Sequence, residues 1–355
     1  MRIVIVNTHI EDRIGGSQVQ CDLISKGLYN KGHEVIYLAI DKSNNYTREY
    51  EIVGVKRGSH DIAQKVIELK PDIVYWRFNK RYLFKCARAI SKNEIKIVFA
   101  VSNIKDLKYF SHQFPSNFTF KTIQRFVKKN LLSFFNYLGF IYIDGITVNN
   151  ENHLKFSPKK KRIYVPNALS DSKVNFEWER PFIVWVANIK NRKRPELFVK
   201  LADSFKDRDI DFLMIGNITD SKYDWIQQKD HTPSNFYYLG KKNYEEVNGI
   251  LSESLFLVST STPEGFSNNI MQAWMQKKPV IAFEFDPGGL IKEKKLGYVC
   301  NSEFETFLDK VNKLLQNQSL REQIGNRAGE YVDNYFSKWK SVDLIESFML
   351  EISEN

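Results

Sequence analysis

Residues 255–285 decide the fold and read LFLVSTSTPEGFSNNIMQAWMQKKPVIAFEF. The apolar run 255–259 predicts a short buried strand, residues 268–276 predict a helix, and 279–283 predict the next strand. A polar loop therefore follows the carboxyl end of the first strand, where ligands of open α/β sheets bind. N–H groups at the start of the following helix attract anions. The predicted anion ligands are Ser267, Asn268 and Asn269.

The same alternation of strands and helices runs through the rest of the chain. In the first half, strands are predicted at 3–6, 34–40, 72–76 and 95–101, with helices at 18–30 and 62–69. The second half repeats the pattern from a strand at 182–187 onwards. Such alternation favours parallel sheets with helices on both faces. We therefore predict an α/β protein with two Rossmann-like, doubly wound domains.

Composition agrees with this size and class. A chain of 355 residues with 43% hydrophobic and 26% charged residues is typical of a soluble globular protein with two cores. No apolar run approaches the ~20 residues of a membrane span, and the start lacks the features of a signal peptide. We expect a cytoplasmic protein in which Cys21, Cys86 and Cys300 are free thiols.

The net charge of +10 favours anionic partners. Because no nucleic-acid-binding motif is present, an anionic membrane surface or an anionic substrate is preferred to nucleic acid. Residues 118–142 carry apolar and basic residues on different faces of a predicted helix, which suits an anionic bilayer. An ordinary helix that packs its apolar face inside has the same pattern, so the sequence does not separate the two. The basic residues are Lys121, Arg125, Lys128 and Lys129.

Two loops that follow predicted strands suit phosphate binding. The loop 188–196, NIKNRKRPE, places Arg192, Lys193 and Arg194 between a strand and a helix, where cations can clamp a diphosphate. A solvated charged loop is the alternative. The loop after the first strand contains Gly15 and Gly16, which allow close approach of a phosphate or sugar, although a plain turn is the alternative. It lacks the G-x-G-x-x-G fingerprint, which counts against a nicotinamide enzyme.

The central stretch resembles the donor-site signature of glycosyltransferase family 4, whose members have two Rossmann-like domains. The matching residues are Glu264-Gly265-Phe266, Gln272-Ala273 and Pro279-Val280, although the family's second carboxylate is replaced by Gln272. Val165-Pro166-Asn167-Ala168 is similar to the segment that joins the family's domains. The alternative is an ordinary strand–helix–strand unit with a surface glutamate.

The resemblance implies a fold of the GT-B type, with two domains facing a central cleft. Residues 1–169 would form the acceptor-side domain and 170–335 the nucleotide-sugar domain, with a helix at 336–355 crossing back to the first. The implied activity is retaining, metal-independent transfer of a sugar from a nucleotide-diphosphate sugar to a hydroxyl acceptor. UDP or GDP is the expected nucleotide, and the nucleotide sugar is a co-substrate, with no other cofactor. A glycan or lipid-linked acceptor in surface polysaccharide synthesis is expected, at the inner face of the cytoplasmic membrane.

The resemblance also assigns roles to single residues. Glu264 would orient the donor sugar and Lys193 would stabilise the diphosphate, so both are candidate catalytic residues. Gln272 would hold the ribose, and His9 and Asp106 are weaker candidates on the acceptor side. The remaining predicted donor contacts are Gly15, Gly16, Asn188, Arg192, Arg194, Gly240, Lys241, Gly265, Phe266, Ser267, Asn268 and Asn269.

Two other functions fit the same fold. Asn188 stands where the family has an arginine, Gln272 replaces a glutamate, and no histidine occurs in the loop 101–106. These departures favour a sugar-nucleotide-binding or partner subunit that has lost activity. A sugar-nucleotide epimerase is a further alternative, but it requires a pair of catalytic acids that the sequence does not identify.

Overall fold

The computed structural model describes residues 1–13, 15–43, 45–110, 114, 119–262, 267–336 and 340–354. The chain divides into an N-terminal unit, Met1–Ala168 with Trp339–Asn355, and a C-terminal unit, Leu169–Lys338. Each unit is built on one parallel sheet with helices packed against it, which confirms the predicted pair of doubly wound α/β domains.

Parallel strands form the sheet of the N-terminal unit. They are β1 (Arg2–Asn7), β2 (Glu34–Ile40), β3 (Glu51–Val55), β4 (Ile73–Trp76), β5 (Lys96–Val101), β6 (Gly145–Val148) and β7 (Lys161–Tyr164). Among the described residues the sheet has seven strands, in the order β3-β2-β1-β4-β5-β6-β7. The interior strands β1 and β4 are almost wholly buried, as expected when both faces of a parallel sheet are covered.

Four helices connect the first six of these strands in the described part of the chain. They are α1 (Gly16–Asn30), α2 (Ser59–Leu69), α3 (Leu83–Ser91) and α4 (Phe120–Tyr137). The end of α2 falls where Pro71 predicts it, because the residue before a proline is disfavoured in the helical region. Lys70 takes the left-handed conformation there, with φ of 44°.

The C-terminal unit repeats the architecture with shorter strands. The strands are β8 (Phe182–Val186), β9 (Asp211–Ile215), β10 (Phe236–Tyr238), β11 (Leu257–Ser259), β12 (Val280–Ala282) and β13 (Gly297–Val299). The helices are α5 (Pro195–Asp203), α6 (Tyr244–Glu253), α7 (Asn268–Met275), α8 (Leu290–Glu293), α9 (Phe304–Gln316) and α10 (Gln318–Tyr335). Its described sheet has the order β10-β9-β8-β11-β12-β13, and all neighbouring strands are parallel.

Two hydrophobic cores cover opposite faces of the second sheet. Successive side chains of β8 point to opposite sides, so Trp185 packs in one core with Phe198 and Val184 packs in the other with Trp274. Large aromatic side chains thus contribute to both layers. This rigid support fixes the strand ends from which the candidate site is built.

The last helix, α11 (Lys340–Ser353), packs on the N-terminal unit. Gly145 at the start of β6 lies so close to it that a Cβ there would be 2.5 Å from Cδ1 of Ile352. Glu346 receives a hydrogen bond from Lys31 and lies 2.8 Å from Nε2 of His33. The predicted return of the C-terminal helix to the N-terminal domain is therefore observed. No helix in the described part of the chain is long and apolar enough to cross a membrane.

Candidate functional site

The order of strands defines a switch point in the C-terminal unit. From β8 the chain proceeds outward through β9 and β10, and then returns to place β11 on the other side of β8. The loops after β8 and β11 therefore leave the sheet in opposite directions and open a crevice between them. Ligands of doubly wound sheets bind at such a crevice. Its described walls are the cationic loop 187–194, residues 260–262 after β11 and the start of α7.

Threonines at the end of β11 fix the backbone of the cationic loop. Thr260 Oγ1 donates a hydrogen bond of 2.5 Å to the carbonyl of Lys193 and accepts one of 2.9 Å from Trp185 Nε1. Thr262 donates its backbone N–H to the carbonyl of Arg192 at 3.0 Å. The side chain of Arg192 is exposed and that of Lys193 is half-buried. The structure thus brings both predicted cations to the switch point on a pinned backbone.

The guanidinium of Arg194 makes contacts within the protein, and its predicted role as a phosphate clamp stays a prediction. Its Nε donates to the carbonyl of Thr260 at 2.8 Å, and Nη2 lies 2.8 Å from a carboxylate oxygen of Glu284. The guanidinium also lies over the ring of Phe283, 5.1 Å from its centre. These contacts join the end of the cationic loop to the ends of β11 and β12. Arg194 is therefore a positioning residue.

The N-terminus of α7 is held over the end of β8. Asn269 donates from Nδ2 to the carbonyl of Val186 at 2.5 Å, so its amide positions the helix. Ser267 is the N-cap, and its side chain makes no capping hydrogen bond. The N–H groups of the first turn at Asn268 and Asn269 face the N-terminal end of the helix by helix geometry. The predicted residues Glu264, Gly265 and Phe266 lie outside the described residues.

Gln272 lies in the interior of the unit, and its predicted contact with the ribose stays a prediction. The side chain is only 3% exposed, and Nε2 donates to Oδ1 of Asn248 at 2.9 Å. Asn248 in turn donates to the carbonyls of Ser170 and Ser172. The network ties α7 to α6 and to the segment that enters the unit. An uncharged amide suits this place because a buried carboxylate would lack the donor that Asn248 needs.

The remaining donor-side candidates lie along the same edge of the sheet. Asn188 is the second residue after β8 and is half-buried. Gly216 follows β9 and approaches the backbone so closely that a Cβ would be 1.7 Å from the carbonyl oxygen of Ala187. The N–H of Gly216 donates to the carbonyl of Gly240 at 2.9 Å, and Lys241 is exposed beyond it. Gly240, which follows β10 after Leu239, is therefore linked to the switch point through β9.

The N-terminal unit has its own switch point, between β1 and β4. Gly15 is the N-cap of α1 and Gly16 is its first residue, so both lie at this edge as predicted from the sequence. Ser17 joins the two strand ends, because its hydroxyl accepts from Asn7 Nδ2 at 2.9 Å and donates to the carbonyl of Arg77 at 3.2 Å. The helix start is thus fixed against both strands.

Arg77 is a residue at this edge that the sequence reasoning missed. Its guanidinium is buried at the end of β4, 7% exposed, where Nη1 lies 3.4 Å from the hydroxyl of Tyr75. Its Nε has no hydrogen-bond partner among the described residues. The signal in the sequence was a cation directly after a buried strand, the same signal that identified the loop after β8.

His9 is part of the packing of its loop, and its predicted contact with an acceptor stays a prediction. The ring is fully buried, stacks on Tyr46 at 4.5 Å and lies 3.0 Å from the hydroxyl of Tyr50. Tyr50 donates onward to Asp22. Burial lowers the pKa of His9 to about 4, so the imidazole is neutral at neutral pH. It therefore holds the loops after β1 and β2 together.

Asp106 is also used within the fold. Its carboxylate accepts the N–H of Asn103 at 3.2 Å and completes a capping box on the short turn after β5. Burial raises the pKa of Asp106 to about 6, and burial lowers the pKa of the nearby Lys80 to about 8. Lys80 donates to the carbonyl of Lys108. Asp106 thus stabilises the turn, and its predicted role on the acceptor side stays a prediction.

Acidic pairs of the Asp-x-Asp type lie away from the switch point. They occur at 207–211, which ends at the first residue of β9, and therefore lie at the amino ends of the strands. Asp209 and Asp211 pair with Arg180 at 2.6 and 2.9 Å. Among the described residues, no group of three His, Cys, Asp or Glu side chains is arranged to hold a metal ion.

Residues 167–331 match the family described as Glycosyl transferases group 1. They contain every element of the switch point of the C-terminal unit. The match covers most of the C-terminal unit. It begins just before the boundary between the two units and ends within α10.

Curated relatives match part of the chain. A poly(ribitol-phosphate) alpha-N-acetylglucosaminyltransferase of Staphylococcus aureus is 27% identical over 164 residues, which are 44% of this chain and 32% of the relative. An uncharacterized glycosyltransferase of Methanocaldococcus jannaschii is 26% identical over 209 residues, 58% of each chain. The chain thus matches about a third of the length of the first relative and somewhat more than half of the length of the second.

Solved structures share the fold over the whole chain. The Anabaena protein Alr3699/HepE, in complex with UDP and glucose, has a TM-score of 0.72 at 13% identity, covering 99% of both chains. A TarM variant of S. aureus, in complex with fondaparinux, alpha-GlcNAc-glycerol and UDP, has a TM-score of 0.72 at 13% identity, covering 100% of both chains. At this identity the likeness establishes the GT-B type of fold.

Proposed function

We propose that this protein is a retaining glycosyltransferase of the family 4 type, which transfers a sugar from a nucleotide-diphosphate sugar to a hydroxyl group. One observation carries the proposal: a group 1 domain pins the backbone of Arg192 and Lys193 beside the N-terminus of α7 at a switch point. Cations and helix N–H groups at one crevice suit a diphosphate, which is the group that leaves in this reaction.

The chemistry explains why these groups matter. Transfer breaks the bond between the anomeric carbon and the phosphate oxygen, and the electron pair leaves with the diphosphate. Groups that stabilise this growing negative charge lower the barrier most when they are already in place. Lys193 and Arg192 are proposed to do so together with the first turn of α7. Glu264 is proposed to accept a hydrogen bond from the donor sugar and so to orient its anomeric carbon.

The identity of donor and acceptor is a further part of the proposal. Two of the similar solved structures contain UDP, which supports a UDP-linked donor. GDP is the alternative nucleotide. We propose a glycan or lipid-linked hydroxyl acceptor, used in surface polysaccharide synthesis at the inner face of the cytoplasmic membrane. Cations of the loop would neutralise the diphosphate, so transfer is proposed to need no metal and no cofactor beyond the nucleotide sugar.

Donor binding and turnover test the proposal. We measure binding of UDP-, GDP- and ADP-sugars by calorimetry for the wild type, Glu264→Ala and Lys193→Ala. Slow hydrolysis of the nucleotide sugar is measured for the same three proteins. Lys206→Ala removes an exposed lysine of the same unit and is the matched control. We expect one donor class to bind, weaker binding in Lys193→Ala, and loss of hydrolysis in Glu264→Ala. If no donor binds with or without an oligosaccharide acceptor, the proposal is refuted.

A binding subunit without transferase activity is the second candidate. The observation in its favour is the interior position of Gln272, together with Asn188 where the family has an arginine. This candidate predicts selective donor binding with no hydrolysis and no transfer in the wild type. The same measurements therefore separate the two functions.

A further inference from the structure

The most deeply buried side chains of α4 are polar, unlike those of an ordinary packed helix. Its inward face carries Asn130, Ser133 and Asn136, each only 6% exposed. Its outward face carries Leu131 and Phe135, which are 50% and 52% exposed. An amphipathic helix on a globular unit normally buries its apolar stripe. The apolar stripe of α4 is instead available to another molecule.

The buried polar side chains of α4 are satisfied, so this orientation is not a packing defect. Ser133 donates to the carbonyl of Tyr109 at 2.9 Å and thereby holds the helix on the preceding segment. Asn136 donates to the carbonyl of Leu132 at 2.9 Å, and Asn130 donates to that of Phe126 at 3.3 Å. Because buried polar groups without partners are strongly unfavourable, these bonds favour the observed face inward.

Exposed apolar side chains continue beyond the helix. We call the whole area the α4 surface. Its large exposed members include Phe110, Phe114, Phe120, Leu131, Leu132, Phe135, Ile141 and Phe156, of which Phe120 is 83% exposed. Beside them lies a groove of about 560 Å³, whose walls include Tyr109, Phe110, Tyr137 and Phe156 together with Lys108 and Lys159. A contiguous apolar area of this kind on a protein marks an interaction site.

Charge identifies the partner. Lys121, Arg125, Lys128 and Lys129 lie along the same helix and are all exposed. No Asp or Glu occurs between Asp106 and Asp144 in the sequence. A second copy of the chain would therefore bring like charges together at this surface, whereas an anionic lipid layer offers both acyl chains and opposite charge.

We propose that the α4 surface docks on an anionic lipid bilayer, with its aromatic and leucine side chains in the interfacial region and its lysines at the headgroups. The inference rests on the proposed function at the membrane, which gives such docking a purpose. The test is independent of that function, because binding to vesicles is measured without donor or acceptor. A protein that binds vesicles but no donor, or donor but no vesicles, separates the two proposals.

Flotation of the full chain with lipid vesicles tests the inference. Vesicles of phosphatidylcholine alone are compared with vesicles that also contain phosphatidylglycerol. Leu131→Ser/Phe135→Ser removes the apolar contact and Lys128→Gln/Lys129→Gln removes two charges. Leu350→Ser, at an exposed position on α11, is the matched apolar control. Thermal unfolding checks that each variant is folded, and all changed side chains are exposed.

We expect binding only to the anionic vesicles. The double glutamine variant should bind about 30-fold more weakly, from the usual effect of one basic residue near an anionic surface. Leu131→Ser/Phe135→Ser should lose binding, and Leu350→Ser should leave it unchanged. Equal binding to both vesicle types, or binding unaffected by the two double variants, overturns the inference. Sedimentation equilibrium that shows dimers abolished by Leu131→Ser/Phe135→Ser, without any vesicle binding, assigns the surface to a second copy and also overturns it.

Discussion

Replacement of Arg194 by alanine and by glycine separates its two structural properties. The guanidinium donates to the carbonyls of Thr260 and Ser261 and pairs with Glu284, so both variants lose these bonds. Arg194 also has φ of +45°, in the left-handed region that favours glycine. Loss of a hydrogen bond from a charged group typically costs about 1.5–3 kcal/mol. We expect about 3 kcal/mol of destabilisation in Arg194→Ala and about 1 kcal/mol less in Arg194→Gly.

Urea unfolding measures this difference, followed by amide hydrogen exchange of 182–186, the strand beside the loop. Arg194→Lys keeps the charge but not the planar fork, so it should resemble alanine rather than the wild type. Equal destabilisation of the alanine and glycine variants would refute the conformational argument. If neither variant is destabilised, the guanidinium does not join the strand ends. Lys193→Ala is the functional counterpart, because it should weaken donor binding while leaving the free energy of unfolding nearly unchanged.

Three further predictions concern residues whose side chains are used within the fold. Because the pKa of His9 is about 4 in the folded protein and 6.5 when unfolded, the unfolded state binds more protons between these values. Stability should therefore fall by up to about 3 kcal/mol as the pH drops from 6.5 to 4, and urea midpoints of His9→Gln should lack this part of the pH dependence. Gly145→Ala should lose about 1–3 kcal/mol in thermal unfolding because of contact with Ile352, and Ile352→Val in the same chain should restore part of the loss. Gln272→Glu should destabilise the protein by about 1–3 kcal/mol, because the Oδ1 atom of Asn248 loses the N–H group that donates to it. Calorimetry should show no gain in affinity for the nucleotide sugar. A gain in that affinity would instead support contact between residue 272 and the ribose.

Strands and helices with strong hydrophobic patterns were predictable from the sequence. The strand β2 coincides with the predicted 34–40, and α1 differs from the predicted helix only by an earlier start at Gly16. In contrast, β3 and α3 were not predicted. The strand β3 lies at the edge of its sheet, is mostly half-exposed and contains Gly54, so its pattern is weak.

Side-chain roles at the two switch points were less predictable than their positions. Strand ends placed Arg192, Lys193 and Arg194 at one edge correctly, because parallel strands end together. Whether a cation of this loop bonds within the protein depends on acceptors from distant parts of the chain, such as Glu284 for Arg194. The same holds for Gln272, whose partner Asn248 lies on a different helix. Local spacing contains no information on such partners.

The helix α4 shows a limit of another kind. Its sequence is amphipathic, and periodicity predicts that two faces differ without stating which one the protein covers. Burial of Asn130, Ser133 and Asn136 is possible because each side chain finds a backbone carbonyl, two of them within the helix itself. Such bonds need no complementary polar partner elsewhere in the sequence, so no pattern reveals them. The exposed apolar face is therefore a property that only the folded unit defines, and the vesicle experiment addresses that property directly.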